Sequence, residues 1–130
     1  MWWKSYLGLP FSDKGRDRQG VDCWGLVRLI YSEQLQIELP SLADNYRDTD
    51  DRETLSALVE AEKGAKWIAA EKPKPYDVVI LTMMGLPTHV GVVVNSRQML
   101  HCLKGANTVL EDFTGLKWRH RVKGFVRWET

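Results

Sequence analysis

The chain has 130 residues, 44% of them hydrophobic and 27% charged, with no biased or repetitive tract. That is the make-up of one soluble globular domain over 1–130, large enough to bury a core without disulfide or metal staples. A net charge of +1 supplies no global field for nucleic acid or for an anionic membrane, and no apolar run approaches membrane-spanning length.

In chain order, residues 2–9 read as a short helix or turn ending near Gly8 and Pro10. Met1–Tyr6 lacks the basic start and apolar stretch of a signal peptide, so synthesis in the cytoplasm is expected, with any work outside needing another delivery route. Ser12–Gly20 is polar and glycine-punctuated, a surface loop. A first long helix is predicted from about Cys23 to Glu33, broken off by Leu39-Pro40-Ser41, and Leu42–Thr49 reads as an extended connection. A second helix starts near Thr49-Asp50-Asp51, whose acids suit a helix N-terminus, carries Leu55, Leu58 and Val59 on one face and stops around Gly64. Trp67–Ala70 is a short strand or the exit of that helix, and Lys72–Pro75 is a rigid, solvated approach to the next element.

From Tyr76 the periodicity becomes that of sheet. Asp77–Leu81 is a continuous apolar run, Met83–Pro87 a turn, and Thr88–Val94 a β-branched strand. Gln98–Leu103 follows at hairpin distance, and Thr108–Leu110 and Val122–Arg127 supply two more strands. Helices first and a meandering antiparallel sheet second is an α+β arrangement. Of the six tryptophans, Trp2, Trp3, Trp118 and Trp128 lie near the ends, to pack the termini or face a partner.

The stretch Gly20–Tyr31 concentrates the chemistry. Asp22 can cap the first helix, which places Cys23 in the first turn, where unpaired N–H groups and the helix dipole favour a thiolate and an oxyanion. A small buried hydrophobe is the competing reading of Cys23, and position alone leaves both open. Two of the three histidines, His89 and His101, sit twelve positions apart on predicted hairpin partners, where their rings can meet. His89 points the same way as Gly91, and if the Cys23 helix packs across that face, thiol and both imidazoles line up as nucleophile, base and orienting group. Cys102, next to His101 on a strand, then faces the core, and Cys23 and Cys102 have no metal-ligand spacing, so no metal or cofactor is expected. His120, within the basic Lys117–Arg121, reads as a solvated turn, with contact to an anionic polymer or an assembly partner as the sharper reading.

The residues Asp22-Cys23-Trp24-Gly25, Pro75–Val79, Thr88-His89-Val90-Gly91-Val92 and Leu100-His101 together resemble the NlpC family of papain-like bacterial cell-wall cysteine peptidases, from about Tyr6 to Leu103. The resemblance implies a papain-like α+β fold, with N-terminal helices on a central antiparallel sheet of five to six strands. It also implies Cys23 as nucleophile, His89 as base and then acid, and His101 as third member. It places Tyr6 at the substrate cleft or oxyanion site and Asp22 where the peptide's free amine binds. Many relatives have serine after the cysteine; Trp24 resembles the variant of phage tail proteins and is a core anchor or a wall of the substrate pocket. Tyr76 stands where relatives often have glycine, which concerns a turn and not the chemistry.

The expected function is hydrolysis of an amide bond in peptidoglycan stem peptides, by resemblance the γ-D-glutamyl–diamino acid bond. The expected setting is a phage or prophage tail that opens the wall in the host periplasm during DNA entry, with other tail proteins as partners. Two alternatives stand beside it: an amidase or acyltransferase using the same triad, and a structural tail-tip protein with latent activity. A nucleic-acid module is disfavoured by the near-zero net charge and the lack of a basic face.

Overall fold

The computed structural model describes residues 1–48, 51–63 and 66–129. A 3-10 helix, Trp2–Tyr6, is followed by a small hairpin of β1 (Arg16–Asp17) and β2 (Gly20–Val21), so the predicted surface loop has a folded tip. Helix α1 (Cys23–Ile30) begins where Asp22, in extended conformation, accepts the Gly25 N–H at 2.8 Å, an N-cap that satisfies one of the free donors of the first turn. The helix widens into a π turn over Tyr31–Leu35 and stops at Gln36, whose φ of 55° is left-handed. Helix α2 spans Arg52–Lys63. The predicted start at Thr49-Asp50, the stop at Gly64 and the side chain of Leu58 lie outside the described residues.

Strands β3 (Trp67–Ala70), β4 (Val78–Met83), β5 (Leu86–Val93), β6 (Gln98–His101), β7 (Val109–Asp112) and β8 (Val122–Trp128) form one antiparallel sheet in the order β3-β8-β4-β5-β6-β7. Residues 67–70 are therefore strand rather than helix exit. The sheet and the helices before it make an α+β papain-like fold.

Alternation along the strands sorts the side chains onto two faces. Val78, Ile80, Val90, Val92 and Leu100 form one core with Leu26, Val27 and Ile30 of α1. Those three helix residues are fully buried, each removal from water being worth about 1.5–3 kcal/mol. On the opposite face Val79, Leu81, Val93, Met99, Phe113 and Trp118 form a second core. Since Ile80 pairs with Val90 and Leu81 with His89, the His89 side chain belongs to this second face. The expectation that α1 crosses the face bearing His89 and Gly91 is thus corrected: β-branched Val90 and Val92, not Gly91, offer the continuous apolar surface that the helix covers. A Cβ at Gly91 would instead lie 3.0 Å from the Leu100 carbonyl oxygen and 3.3 Å from the His101 Cβ. The glycine serves the close approach of β6 and its histidine.

Beneath the sheet's end, Asp77 is buried and takes two 2.8 Å hydrogen bonds from the Arg127 guanidinium, fastening the start of β4 to β8. Among the described residues no helix is long and apolar enough to cross a membrane.

Candidate active site

Cys23 is the first residue of α1, and the helix delivers it to an edge of β5 that β6 has vacated. Val93 N–H bonds to Asp77 and Val94 N–H to Gln98, so odd residues of β5 direct their backbone groups toward β4 and even ones toward β6. The β5–β6 pairing covers only Val92–Leu100 and Val93–Met99. Thr88 and Val90 are even, and their backbone groups meet the cysteine: Sγ lies 4.0 Å from the Thr88 carbonyl oxygen, and the Val90 N–H points at the sulfur. The thiol thus rests on the backbone of the two residues flanking His89. Among the described residues it makes no direct hydrogen bond to the His89 ring.

The two histidines meet as their strand positions allow. His89 Nε2 and His101 Nδ1 are 2.9 Å apart, and His101 Nε2 is 2.8 Å from Glu111 Oε1. Glu111 Oε2 accepts a 3.0 Å hydrogen bond from Trp118 Nε1–H. The Trp118 ring lies nearly parallel to His89 at 6.1 Å and takes His101 edge-on at 4.9 Å. Both imidazoles are almost wholly buried.

Burial sets the resting charge state. It pushes the Cys23 thiol up to about 12, with the Asp22 carboxylate acting in the same direction. The Val90 and Trp24 N–H groups and the Arg16 charge act against it but do not win. A lowered thiol, expected from the helix start alone, is therefore not what the closed site has. Burial, then His101, lowers His89 to about 3. His101 is also lowered by burial, against the opposing pull of Glu111. Glu111 is raised by burial but held below its ordinary value by Trp118, His101 and Lys117. At neutral pH the site holds a neutral thiol, two neutral imidazoles and a carboxylate.

Asp22 does not present a carboxylate to a ligand. It is 1% exposed, and its oxygens accept from Gly25 N–H, Lys14 N–H, Arg16 Nη1 at 2.8 Å and the Tyr46 hydroxyl. A Cβ at Gly25 would stand 2.0 Å from the Gly15 carbonyl oxygen, so glycine is what lets the Gly15–Arg16 turn close over this carboxylate. The amine-binding role is corrected on this ground: a carboxylate with its lone pairs filled inside the protein has none to offer a substrate amine.

Tyr6 is equally committed. Its hydroxyl donates to Glu33 Oε1 at 2.8 Å and accepts from Gln34 Nε2 at 3.2 Å, beneath the Arg18 guanidinium. Those partners lie ten and eleven residues beyond Cys23, about 15 Å along a helix axis. The cleft or oxyanion role is corrected accordingly: Tyr6 holds the far end of the helix.

Trp24 is half-buried, donates Nε1–H to the Pro40 carbonyl at 2.9 Å and packs on the helix-side core. It also lines, with Cys23, Tyr46, Leu55, Val59 and Thr88, an apolar cavity of about 60 Å³ on the helix side. Cys102 is buried on that side as well, its Sγ 3.6 Å from the Val21 carbonyl oxygen, and His120 is exposed. Among the described residues no three His, Cys, Asp or Glu side chains are grouped to hold a metal ion.

Sequence reasoning missed Glu111 and Trp118. Ending the strand at Leu110 left the carboxylate out; in β7, Met99 pairs with Glu111 and His101 with Val109, which puts Glu111 on the histidine face. Trp118, read as packing a terminus or facing a partner, reaches the site from a turn that no periodicity announces.

The chain matches the model of the NlpC/P60 family over residues 8–127. It is 22% identical over 119 residues to the murein DD-endopeptidase MepS/murein LD-carboxypeptidase of Escherichia coli K12, and equally to that of Escherichia coli O6:H1, covering 92% of this chain. It spans 54% of those relatives' length. Among solved structures, it superposes on the NlpC/p60 domain of the peptidoglycan hydrolase SagA with a TM-score of 0.64 at 19% identity, covering 96% of this chain and 91% of that one. An NlpC/P60 family protein from Bacillus cereus gives a TM-score of 0.71 at 19% identity, covering 98% and 38%. A family match over nearly the whole chain, on a sheet that carries the paired histidines beside a helix-starting cysteine, makes this chain a member of the NlpC/P60 family.

Proposed function

We propose that the chain is a cysteine endopeptidase that hydrolyses amide bonds in the peptide stems of peptidoglycan, with Cys23 as nucleophile, His89 as base and acid, and His101 orienting His89. The observation that carries this reading is the thiol at the start of α1, resting on the backbone that flanks His89, while His89 is hydrogen-bonded to His101. The family and the murein-cleaving relatives supply the substrate class.

In the reaction, Cys23 gives its proton to His89 as sulfur attacks the carbonyl carbon, and backbone N–H groups at the helix start oppose the oxyanion charge. Protonated His89 passes that proton to the leaving nitrogen as the C–N bond breaks, leaving a thioester. His89 then takes a proton from water, whose oxygen attacks the thioester, and the acid leaves as the thiol is restored.

The γ-D-glutamyl–diamino acid bond is the proposed target, and delivery by a phage tail is the proposed setting, supported by Trp24 following the cysteine. A second reading, latent activity released by tail partners, is favoured by one observation: the thiol is only 7% exposed and burial holds it protonated. Digestion of purified peptidoglycan by wild type and Cys23→Ala, read by mass spectrometry, tests both. Wild type alone should release stem-peptide fragments and Cys23→Ala none. Release only after tail proteins are added establishes the latent reading, and release by Cys23→Ala sinks the mechanism. Export to the periplasm should round or lyse cells with wild type and not with Cys23→Ala.

A further inference from the structure

We propose that Glu111 is a positioning residue that fixes the tautomers of both buried histidines and so leaves Nδ1 of His89 bare to receive the Cys23 proton. The inference rests on the peptidase reading above and deepens it. It follows from counting donors along an unbroken chain of contacts. Glu111 accepts Trp118 Nε1–H on one oxygen, and its other oxygen faces His101 Nε2 at 2.8 Å. An ionised carboxylate only accepts, so His101 must carry its hydrogen on Nε2. A neutral ring then has a bare Nδ1, and the atom facing that Nδ1 at 2.9 Å is His89 Nε2. His89 must donate there, which leaves its own Nδ1 without a hydrogen. Every link is buried or half-buried, so water does not readily substitute for a missing partner.

The carboxylate's ionisation is supported from its surroundings. Trp118 Nε1–H, which can only donate, bonds to Oε2, and Lys117 Nζ stands 3.9 Å from the same oxygen. Were Glu111 replaced by an amide, one of its two partners, both N–H donors, would face an NH2 group whichever way the amide turned. Flipping His101 to accept from that group would put its hydrogen on Nδ1, against His89 Nε2. His89 would then flip and cover the nitrogen the reaction needs.

The test is ¹⁵N-histidine NMR, with long-range ¹H–¹⁵N correlations that tell the two tautomers apart, on wild type, Glu111→Gln and Glu111→Gln/Trp118→Phe at pH 7. Wild type should show His89 and His101 both protonated on Nε2 alone. Glu111→Gln should show the other tautomer, or a mixture, at one or both rings, with kcat reduced at least about tenfold and KM little changed. Removing the competing indole donor in the double variant lets the amide oxygen serve His101, so tautomers and part of kcat should return. A proton on Nδ1 of either ring in wild type overturns the proposal, as does a Glu111→Gln protein with unchanged tautomers. The wild-type spectrum decides even if a variant does not fold. Wild type with the expected tautomers that digests no wall material, with or without added tail proteins, overturns the peptidase reading alone. Wild type that digests it with Nδ1 protonated overturns the tautomer assignment alone.

Discussion

The sulfur of Cys23 and the carbonyl oxygen of Thr88 are 4.0 Å apart, at the stretch of β5's edge that β6 leaves unpaired among the described residues. Helix α1 and the His89 side chain occupy opposite faces of the sheet, and the edge is where those faces meet. A helix packed on Val90 and Val92 can therefore still bring its first residue to the strand that carries His89. The same placement buries the thiol, and the first expectation follows from it.

Iodoacetamide should alkylate native Cys23 more slowly than a free cysteine at pH 7. With the thiol raised to about 12, the rate should keep rising about tenfold per pH unit through pH 10. A plateau near pH 8.5 would show an ordinary thiol, and rapid labelling at pH 6 an activated one. Cys102, 1% exposed in the core, should label only on unfolding.

Stability should fall as pH drops below that of an ordinary histidine. His89 is held neutral with its folded value lowered to about 3, so between about 6.5 and 3 the unfolded chain binds a proton that the native one does not. The contribution is complete above about 6.5 and is lost progressively toward 3, at up to about 1.4 kcal/mol per pH unit for one group. Urea titrations at pH 7, 6 and 5 should show that slope, and His89→Gln should reduce it, the buried His101 keeping the remainder. An unchanged slope in the variant would mean that His89 titrates normally.

Asp22→Ala should destabilise the fold by about 3–5 kcal/mol, because it removes the N-cap of α1 and strands the largely buried Arg16 guanidinium. Urea unfolding measures it. If stability is intact and only KM rises, the carboxylate meets substrate after all.

Tyr6→Phe keeps the buried ring and removes hydrogen bonds to Glu33 and Gln34, so it should cost about 1–2 kcal/mol and leave kcat on wall fragments unchanged. A fall in kcat without a loss of stability would return Tyr6 to the cleft.

Trp24→Phe should lose the Pro40 hydrogen bond and only part of the ring's packing, about 1–2 kcal/mol, whereas Trp24→Ser, which loses the whole ring at a half-buried site, should cost more, yet less than the 3–5 kcal/mol typical of a fully buried aromatic. Thermal unfolding of both variants separates packing from hydrogen bonding. Equal losses would mean that the indole ring contributes no packing.

The sequence by itself determined what depends on neighbours along the chain. Asp22 before an apolar helical repeat makes a capped helix with Cys23 in its first turn, and alternation around Gly91 makes a strand whose hairpin partner brings His101 to His89. These are local rules of capping and of strand register, and they needed no tertiary information. Tertiary structure decided whatever depends on which partner arrives first. Asp22 and Tyr6 are polar groups that burial obliges to bond, and Arg16 from the preceding loop, with Tyr46, Glu33 and Gln34 from much farther along the chain, reach them before any substrate can. The choice of sheet face belonged to α1 as a whole, because Val90 and Val92 present more apolar surface than Gly91. Glu111 and Trp118 entered the site because β7 runs two residues past Leu110, to Asp112, and a turn folds back over two histidines. Even the charge state of Cys23 was tertiary: a helix start favours a thiolate, but only burial, which no local pattern reveals, was large enough to keep the proton on.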